Sequence, residues 1–301
     1  MIQNKDSNKK KVKRDNLTTH DSIAEERKFL IWGNDDFFLR EAYKTARTNV
    51  MFSLAGKEGC NVIAVTSSLQ SEGKSITASN LAMSFADNGS RVLIIDCDLR
   101  KPKMGRLLDI KAERGLTDVL INKSELSGSV IRVNEKKGLW ALTSGRIPPN
   151  PSELLGSESM VMLMNSLKGN YDYIILDTPP VEMVTDAMVL APIVDGVLFV
   201  VRANSRDRRA FAHSIEQLEY ANAKILGVIF NGTEQGGGGY GYKRYGYSRY
   251  GYRRYGYSRY GYGKYGYGRY GYGKYGYGGY GYGYGNQSDS AEKAQSDKKD
   301  K

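Results

Sequence analysis

Gly73, Lys74 and Ser75 close the run Ser68-Leu-Gln-Ser-Glu-Gly73-Lys74-Ser75, and this trio of residue types suits one chemistry. A glycine lets backbone N–H groups approach an anion, an ammonium neutralises phosphate oxygens, and a hydroxyl can ligate Mg²⁺. Ser71, Glu72 and Ile76 complete the candidate loop, whose pattern departs from G-x-x-x-x-G-K-[ST] in having Ser68 first. Two further stretches add carboxylates: Asp96-Cys-Asp98-Leu-Arg100 and Asp177-Thr-Pro-Pro180. Beside a phosphate, such groups hold a metal or take a proton from an attacking hydroxyl. Each stretch alone also has a plainer account. Gly-Lys-Ser can start an ordinary helix, and aspartates at strand ends are common turn and cap residues. Together, however, the three fit one task, holding Mg·ATP.

The elements around them are arranged to bring them together. Short buried runs read as strands at 62–66, 92–96, 139–143, 173–177, 196–201 and 225–231. Helical spacing falls at 74–87, 117–120, 151–167, 186–191 and 207–221, with an earlier helix at about 38–54 capped by Asp35 or Asp36. Strand and helix alternate, the sign of a parallel sheet with right-handed crossovers. The phosphate loop and both aspartate stretches then fall at carboxyl ends of strands, where open sheets bind ligands. If the 92–96 strand persists, Asp96 and Asp98 share one side and Cys97 takes the other. The fold class is α/β, a P-loop NTPase with a mostly parallel sheet flanked by helices. Four segments are expected: a disordered basic stretch at 1–34, the P-loop domain at 35–235, a Gly/Tyr-rich repeat at 236–285 and a charged disordered terminus at 286–301.

Composition excludes several classes. Two cysteines are too few for a disulfide framework and two histidines too few for a zinc cluster. No run approaches the roughly 18 apolar residues that cross a bilayer, so the expectation is a soluble, cytoplasmic chain. Of the net charge of +11, nine belong to residues 240–285, which hold nine Lys/Arg and no acid. The basicity is a property of the tail, not of the domain.

That tail is a pentad repeat, YGYKR, YGYSR and their variants, with nineteen of the 23 tyrosines. They are Tyr240 and Tyr242, Tyr245 and Tyr247, Tyr250 and Tyr252, Tyr255 and Tyr257, Tyr260 and Tyr262, then Tyr265 and Tyr267, Tyr270 and Tyr272, Tyr275 and Tyr277, and finally Tyr280, Tyr282 and Tyr284. Aliphatic side chains are too few to offset ordering entropy, so the segment is expected to be disordered. Tyrosines between small glycines can thread into an open site.

The phosphate loop, Ile-Ile-Asp96-x-Asp98-x-Arg100, Ile-Leu-Asp177-x-Pro179 and the tyrosine tail together resemble the bacterial tyrosine kinases of capsule and exopolysaccharide synthesis, in their cytoplasmic catalytic-subunit form. Glu41-Ala-Tyr-Lys-Thr-Ala-Arg47 and Pro148-Pro-Asn-Pro-Ser-Glu153 resemble the same family. The resemblance implies ATP and Mg²⁺ as cofactors, with Ser71, Glu72, Gly73, Lys74, Ser75, Ile76 and Arg100 around the nucleotide. It implies Asp96, with Lys74 and Asp98, in catalysis, and Ser75, Asp98 and Asp177 at the metal. The nineteen tail tyrosines become autophosphorylation sites, phosphorylated in trans within a ring-like homo-oligomer. Glu41, Lys44 and Arg47 form a charged stripe that by itself reads as a solvated face; the resemblance makes it a contact between subunits. Lys44 stands where the family has arginine and loses the planar two-point fork. Further partners implied are a separate transmembrane activator, which recruits the chain to the inner face of the membrane, and a tyrosine phosphatase.

Two other readings stay open on the sequence. A partitioning or cell-division ATPase shares the fold, but it carries an extra lysine early in the loop, where this chain has Leu69. The Tyr/Arg tail could also stack on bases and neutralise phosphates as a nucleic-acid ligand. The kinase reading explains both halves of the chain, and no specific nucleic acid is expected as a partner.

Overall fold

The structure, a computed structural model, describes residues 19–122, 126–134, 138–205 and 207–233. The expected disorder of the Tyr-Gly repeat and of the last segment concerns residues outside these. The described chain builds one seven-stranded sheet in the order β3-β4-β2-β5-β1-β6-β7. Its strands are β1 (Asn61–Ser67), β2 (Val92–Asp96), β3 (Val130–Asn134), β4 (Leu139–Leu142), β5 (Tyr173–Asp177), β6 (Gly196–Arg202) and β7 (Ile225–Asn231). Every pairing is parallel except β3 with β4.

Period-two alternation divides the core. Val62 and Ala64 of β1 pack on one face with Leu93, Ile95, Ile174 and Leu176, while Ile63 and Val65 pack on the other with Ile94, Ile175 and Val200. Covering the second face are α2 (Phe37–Ser53), α3 (Lys74–Asp87) and the short α4 (Met104–Leu107). Phe85 of α3 stacks on Tyr173 with ring centroids 3.9 Å apart. On the first face lie α5 (Leu116–Asn122), α6 (Pro151–Leu155), α7 (Glu158–Leu167), α8 (Asp186–Leu190) and α9 (Arg208–Tyr220). A single helix was expected over 151–167; Gly156 ends α6, and the Ser157 hydroxyl accepts from Met160 N to start α7.

The basic segment expected to be disordered through residue 34 needs correction. Residues Thr19–Arg27 form a helix, α1, and the chain behind it docks on the domain. Ile23, Leu30 and Ile31 are buried, Arg27 Nε donates to the Arg106 carbonyl at 2.9 Å, and Asn80 grips Ile31 N and the Phe29 carbonyl. The lysine run 9–14 lies outside the described residues.

Candidate active site

The register sets three strand ends side by side. Val65 of β1 and Asp96 of β2 both pair with Asp177 of β5. The phosphate loop leaves β1, the aspartate pair leaves β2 and the lone aspartate ends β5. The loop is stitched to its neighbours: Val181 N donates to Ser67 O at 2.9 Å and Thr66 Oγ1 to Pro179 O at 2.9 Å.

Gly73 sits at the head of α3 with φ +93°, a left-handed conformation that glycine adopts without penalty. No side chain caps the helix there, so its first N–H groups and the positive end of its dipole face the loop. Close approach makes glycine necessary a second time: a Cβ on Gly73 would lie 1.8 Å from Asn231 Nδ2. Asn231, the last residue of β7, donates to the Glu72 carbonyl at 2.9 Å. The Glu72 carboxylate turns inward, 4% exposed, and accepts from Leu69 N at 3.1 Å. Glu72 therefore shapes the loop from within; its side chain does not face the phosphate position. Ser71 takes φ +64° at the tip.

Lys74 Nζ lies 2.9 Å from Asp98 Oδ2 and 3.6 Å from Asp177 Oδ1, with the three side chains at most 11% exposed. Burial works against the ammonium, but Asp177 and Asp98 outweigh it and hold the Lys74 pKa up. Among the described residues, neither oxygen of the buried Asp177 has a hydrogen-bond partner. A buried carboxylate whose close partner is the Lys74 ammonium at 3.6 Å keeps lone pairs to spare, and beside Ser75 they suit a hydrated Mg²⁺. The residues present fit Mg·ATP. Asp96 is fully buried; its Oδ1 accepts from Asp98 N at 3.2 Å and its Oδ2 from Met104 N at 3.1 Å. Burial first, and then the Asp177 charge, push its carboxyl up to about 8.

The resulting cleft encloses about 840 Å³, with Ser71, Gly73, Lys74, Ser75, Ile76 and Asp98 along its base. Phe29, Phe38, Met183 and Phe230 give it an apolar outer wall suited to a flat ring. Arg100 also reaches this cleft, but its guanidinium is taken: Nε and Nη2 donate to Asp186 at 3.1 Å each, and Nη2 to Ser152 Oγ at 2.9 Å. It ties the loop after β2 to α6 and α8 instead of gripping a phosphate. Arg100→Ala is expected to cost about 1–3 kcal/mol of stability, because Asp186 keeps its burial and loses its cation. Nucleotide affinity should change less than threefold, as read by titration with a fluorescent ADP; a larger loss would return Arg100 to the nucleotide.

The charged stripe on α2 divides. Glu41 and Lys44 pair with each other on the surface, Nζ to Oε1 2.6 Å, whereas Arg47 Nη1 donates to Ser84 O at 2.7 Å and pins α2 to α3. Sequence reasoning passed over Asn231 and the apolar wall, since neither carries a local motif.

Comparison with known proteins places the chain in a family. Residues 60–224 match the family described as an AAA domain. Tyrosine-protein kinase YwqD of Bacillus subtilis is 42% identical over 64% of this chain and 81% of its own length. Tyrosine-protein kinase etk of Escherichia coli is 36% identical over 64% of this chain but only 26% of its own, longer length. The solved kinase domain of Escherichia coli ETK superposes with a TM-score of 0.63 and 33% identity, covering 68% of this chain and 80% of that one. With a relative so alike over most of its length, the chain belongs to the bacterial tyrosine-protein kinases.

Proposed function

We propose that the chain transfers the γ-phosphoryl group of ATP to tyrosines of its own Tyr-Gly repeat, in trans within a ring-like oligomer, and to other proteins, and that it thereby regulates capsular or exopolysaccharide synthesis. The observation that carries this reading is the convergence of Lys74, Asp98, Asp177 and Asp96 on three adjacent strand ends. Phosphoryl transfer asks mainly for positioning and charge neutralisation, and these groups supply both. Lys74 and the α3 amides neutralise the β and γ oxygens. Ser75, Asp98 and Asp177 would hold Mg²⁺ or its waters, and the bound ion would offset charge developing between the β- and γ-phosphates. A tyrosine hydroxyl has a pKa near 10 in water, so it needs a proton acceptor. Asp96, at the end of β2 beside Asp98 and Asp177, is the carboxylate assigned to take that proton.

The partners follow from the same reading. On this reading a separate transmembrane activator draws the kinase to the cytoplasmic face of the membrane, and a tyrosine phosphatase opposes it. Glu41 and Lys44 are the part of the stripe left for a neighbouring subunit.

Incubating the purified protein with Mg·ATP and mapping phosphotyrosine by mass spectrometry tests the proposal. Label is expected within residues 240–284. Asp96→Asn should lower transfer by about 10²–10⁴-fold with ATP still bound. Near-parental transfer in this variant would remove Asp96 as the base.

A further inference from the structure

α4 is a single turn, and one turn of helix is not stable by itself. Among the described residues no side chain caps its start at Lys103. Yet its first amide, Met104 N, donates to Asp96 Oδ2 at 3.1 Å, so α4 fixes one of the two Asp96 oxygens. Leu108 N and Ile110 N close the carbonyls of Met104 and Gly105, at 2.8 and 2.7 Å. The next carbonyl, that of Arg106, is met from outside the helix.

The outside partner is the end of α1 with the chain behind it, residues 26–32. Arg27 Nε and Nη2 both donate to the Arg106 carbonyl, Nε at 2.9 Å, and Nη2 also donates to Asp109 Oδ1 at 2.9 Å. A cation at the carbonyl end of a helix also suits the helix dipole. Asp109 has φ +59°, so Arg27 pins the exit from α4 at a residue in the left-handed conformation. At the opposite end, Lys103 Nζ donates to Glu26 Oε1 at 3.2 Å. Leu30 and Ile31 share one apolar cluster with Met104 and Leu107.

The same strap is tied to the phosphate-loop helix. Asn80 of α3 accepts from Ile31 N at 2.9 Å and donates to the Phe29 carbonyl at 2.8 Å, and Trp32 Nε1 donates to Asp87 Oδ1 at 3.0 Å. Glu26 and Phe29 stand on the wall of the nucleotide cleft, while Arg27 between them turns to α4. Residues 26–32 thus bridge the helix that starts at Lys74 and the turn that holds Asp96.

We infer that this strap is a positioning element of the transfer site, in which Arg27 sets Asp96 by holding α4. The inference rests on the kinase reading above and adds a residue outside the phosphate loop and both aspartate stretches. Arg27 acts at a distance: it fixes the Arg106 carbonyl, α4 keeps its place, and the Met104 amide stays on the Asp96 carboxylate.

The test uses the full chain and a synthetic Tyr-Gly pentad peptide. The Arg27 side chain is 39% exposed, so Arg27→Ala should fold, with an unchanged circular dichroism spectrum. Its kcat for the peptide is expected to fall by about 10–100-fold, the scale of an ångström's misplacement of a reacting group. Affinity for a fluorescent ADP should stay within about twofold, since Lys74, Ser75 and Asp98 are untouched. Amides of 104–110 should exchange about tenfold faster or more, as the loss of a charge-assisted hydrogen bond implies, while those of 74–87 hold. In the parent, which needs no variant to fold, 26–32 and 104–110 should open as one unit. Protection at 104–110 exceeding that at 26–32 by more than about tenfold would overturn the inference, because α4 would then hold without the strap. So would an unchanged kcat in the folded variant, or kcat and ADP affinity falling together, which marks a general loosening. A parent that makes no phosphotyrosine from Mg·ATP removes the kinase reading and the strap's part in transfer with it. An active parent whose Arg27→Ala variant is equally active removes the strap alone.

Discussion

Replacing Lys74 by methionine is expected to lower tyrosine phosphorylation by at least about 10²–10³-fold, the scale on which a preorganised charge donor acts in the transition state. The substitution also reaches the resting protein. Lys74 is the cation within reach of both Asp98 and Asp177, and Asp177 is 1% exposed. Taking one partner from a buried ion pair costs roughly 3–5 kcal/mol, since the remaining charge stays desolvated. The pH dependence has a definite sign. Burial already raises the Asp177 carboxyl, and the Lys74 charge opposes that rise. Without the ammonium the folded-state pKa climbs further above the unfolded value of about 3.9. A carboxyl raised by folding destabilises as pH rises above its unfolded pKa. The stability deficit of Lys74→Met should therefore be small near pH 4 and grow towards pH 8. Urea melts of parent and variant at both pH values decide it; a deficit independent of pH would mean that Lys74 is not neutralising those carboxylates.

Gly73→Ala should disable the same loop by a different route. At φ +93° an alanine carries strain of about 1–2 kcal/mol. Its Cβ would also displace Asn231 Nδ2 and break the hydrogen bond to the Glu72 carbonyl, worth about 1 kcal/mol more. Together these come to about 2–3 kcal/mol, or a fall in Tm of roughly 4–12 °C for a domain of this size. ADP affinity should drop more than tenfold as the amides turn away. Asn231→Ala alone should be mild, because the glycine conformation survives. The double variant Gly73→Ala/Asn231→Ala should then be less impaired than the two single losses added. Strict additivity would show that the two side chains do not compete for one space.

How far the molecule could be read from its residues differs by element. Val62 to Ser75 was legible because a β-branched run, a Gly-Lys-Ser turn and a helical period are all local signals. β2, β5 and β7 were equally plain, being short apolar runs bounded by turn residues, and the expected bounds 92–96, 173–177 and 225–231 match the strands. β3 was missed because an edge strand has no buried run: all five residues are partly or well exposed. α1 was missed because it is polar nearly throughout and draws its order from distant partners, Arg27 to Arg106 and Asp109, Glu26 to Lys103. Side-chain assignments were harder. Lys74, Asp96, Asp98 and Asp177 converge as their strand-end positions implied. Arg100 and Glu72 sit in the motif but spend their polar atoms on the protein itself, which depends on Asp186 and on the turn of the loop. Composition does not record such contacts.

The link between Asn231 and Glu72 spans 159 positions, and it bears on how the protein comes into being. A ribosome delivers the phosphate loop early and β7 late, with β5 and β6, which flank β1 on either side, in between. Parallel pairings of such long sequence separation form slowly and only after the intervening chain is available. A nascent chain that has emerged only as far as Asp177 owns every acidic residue of the site, yet its phosphate loop has neither the β6 neighbour nor the amide clasp. Fragments that end before β7 are therefore expected to bind a fluorescent ADP far more weakly than the whole domain.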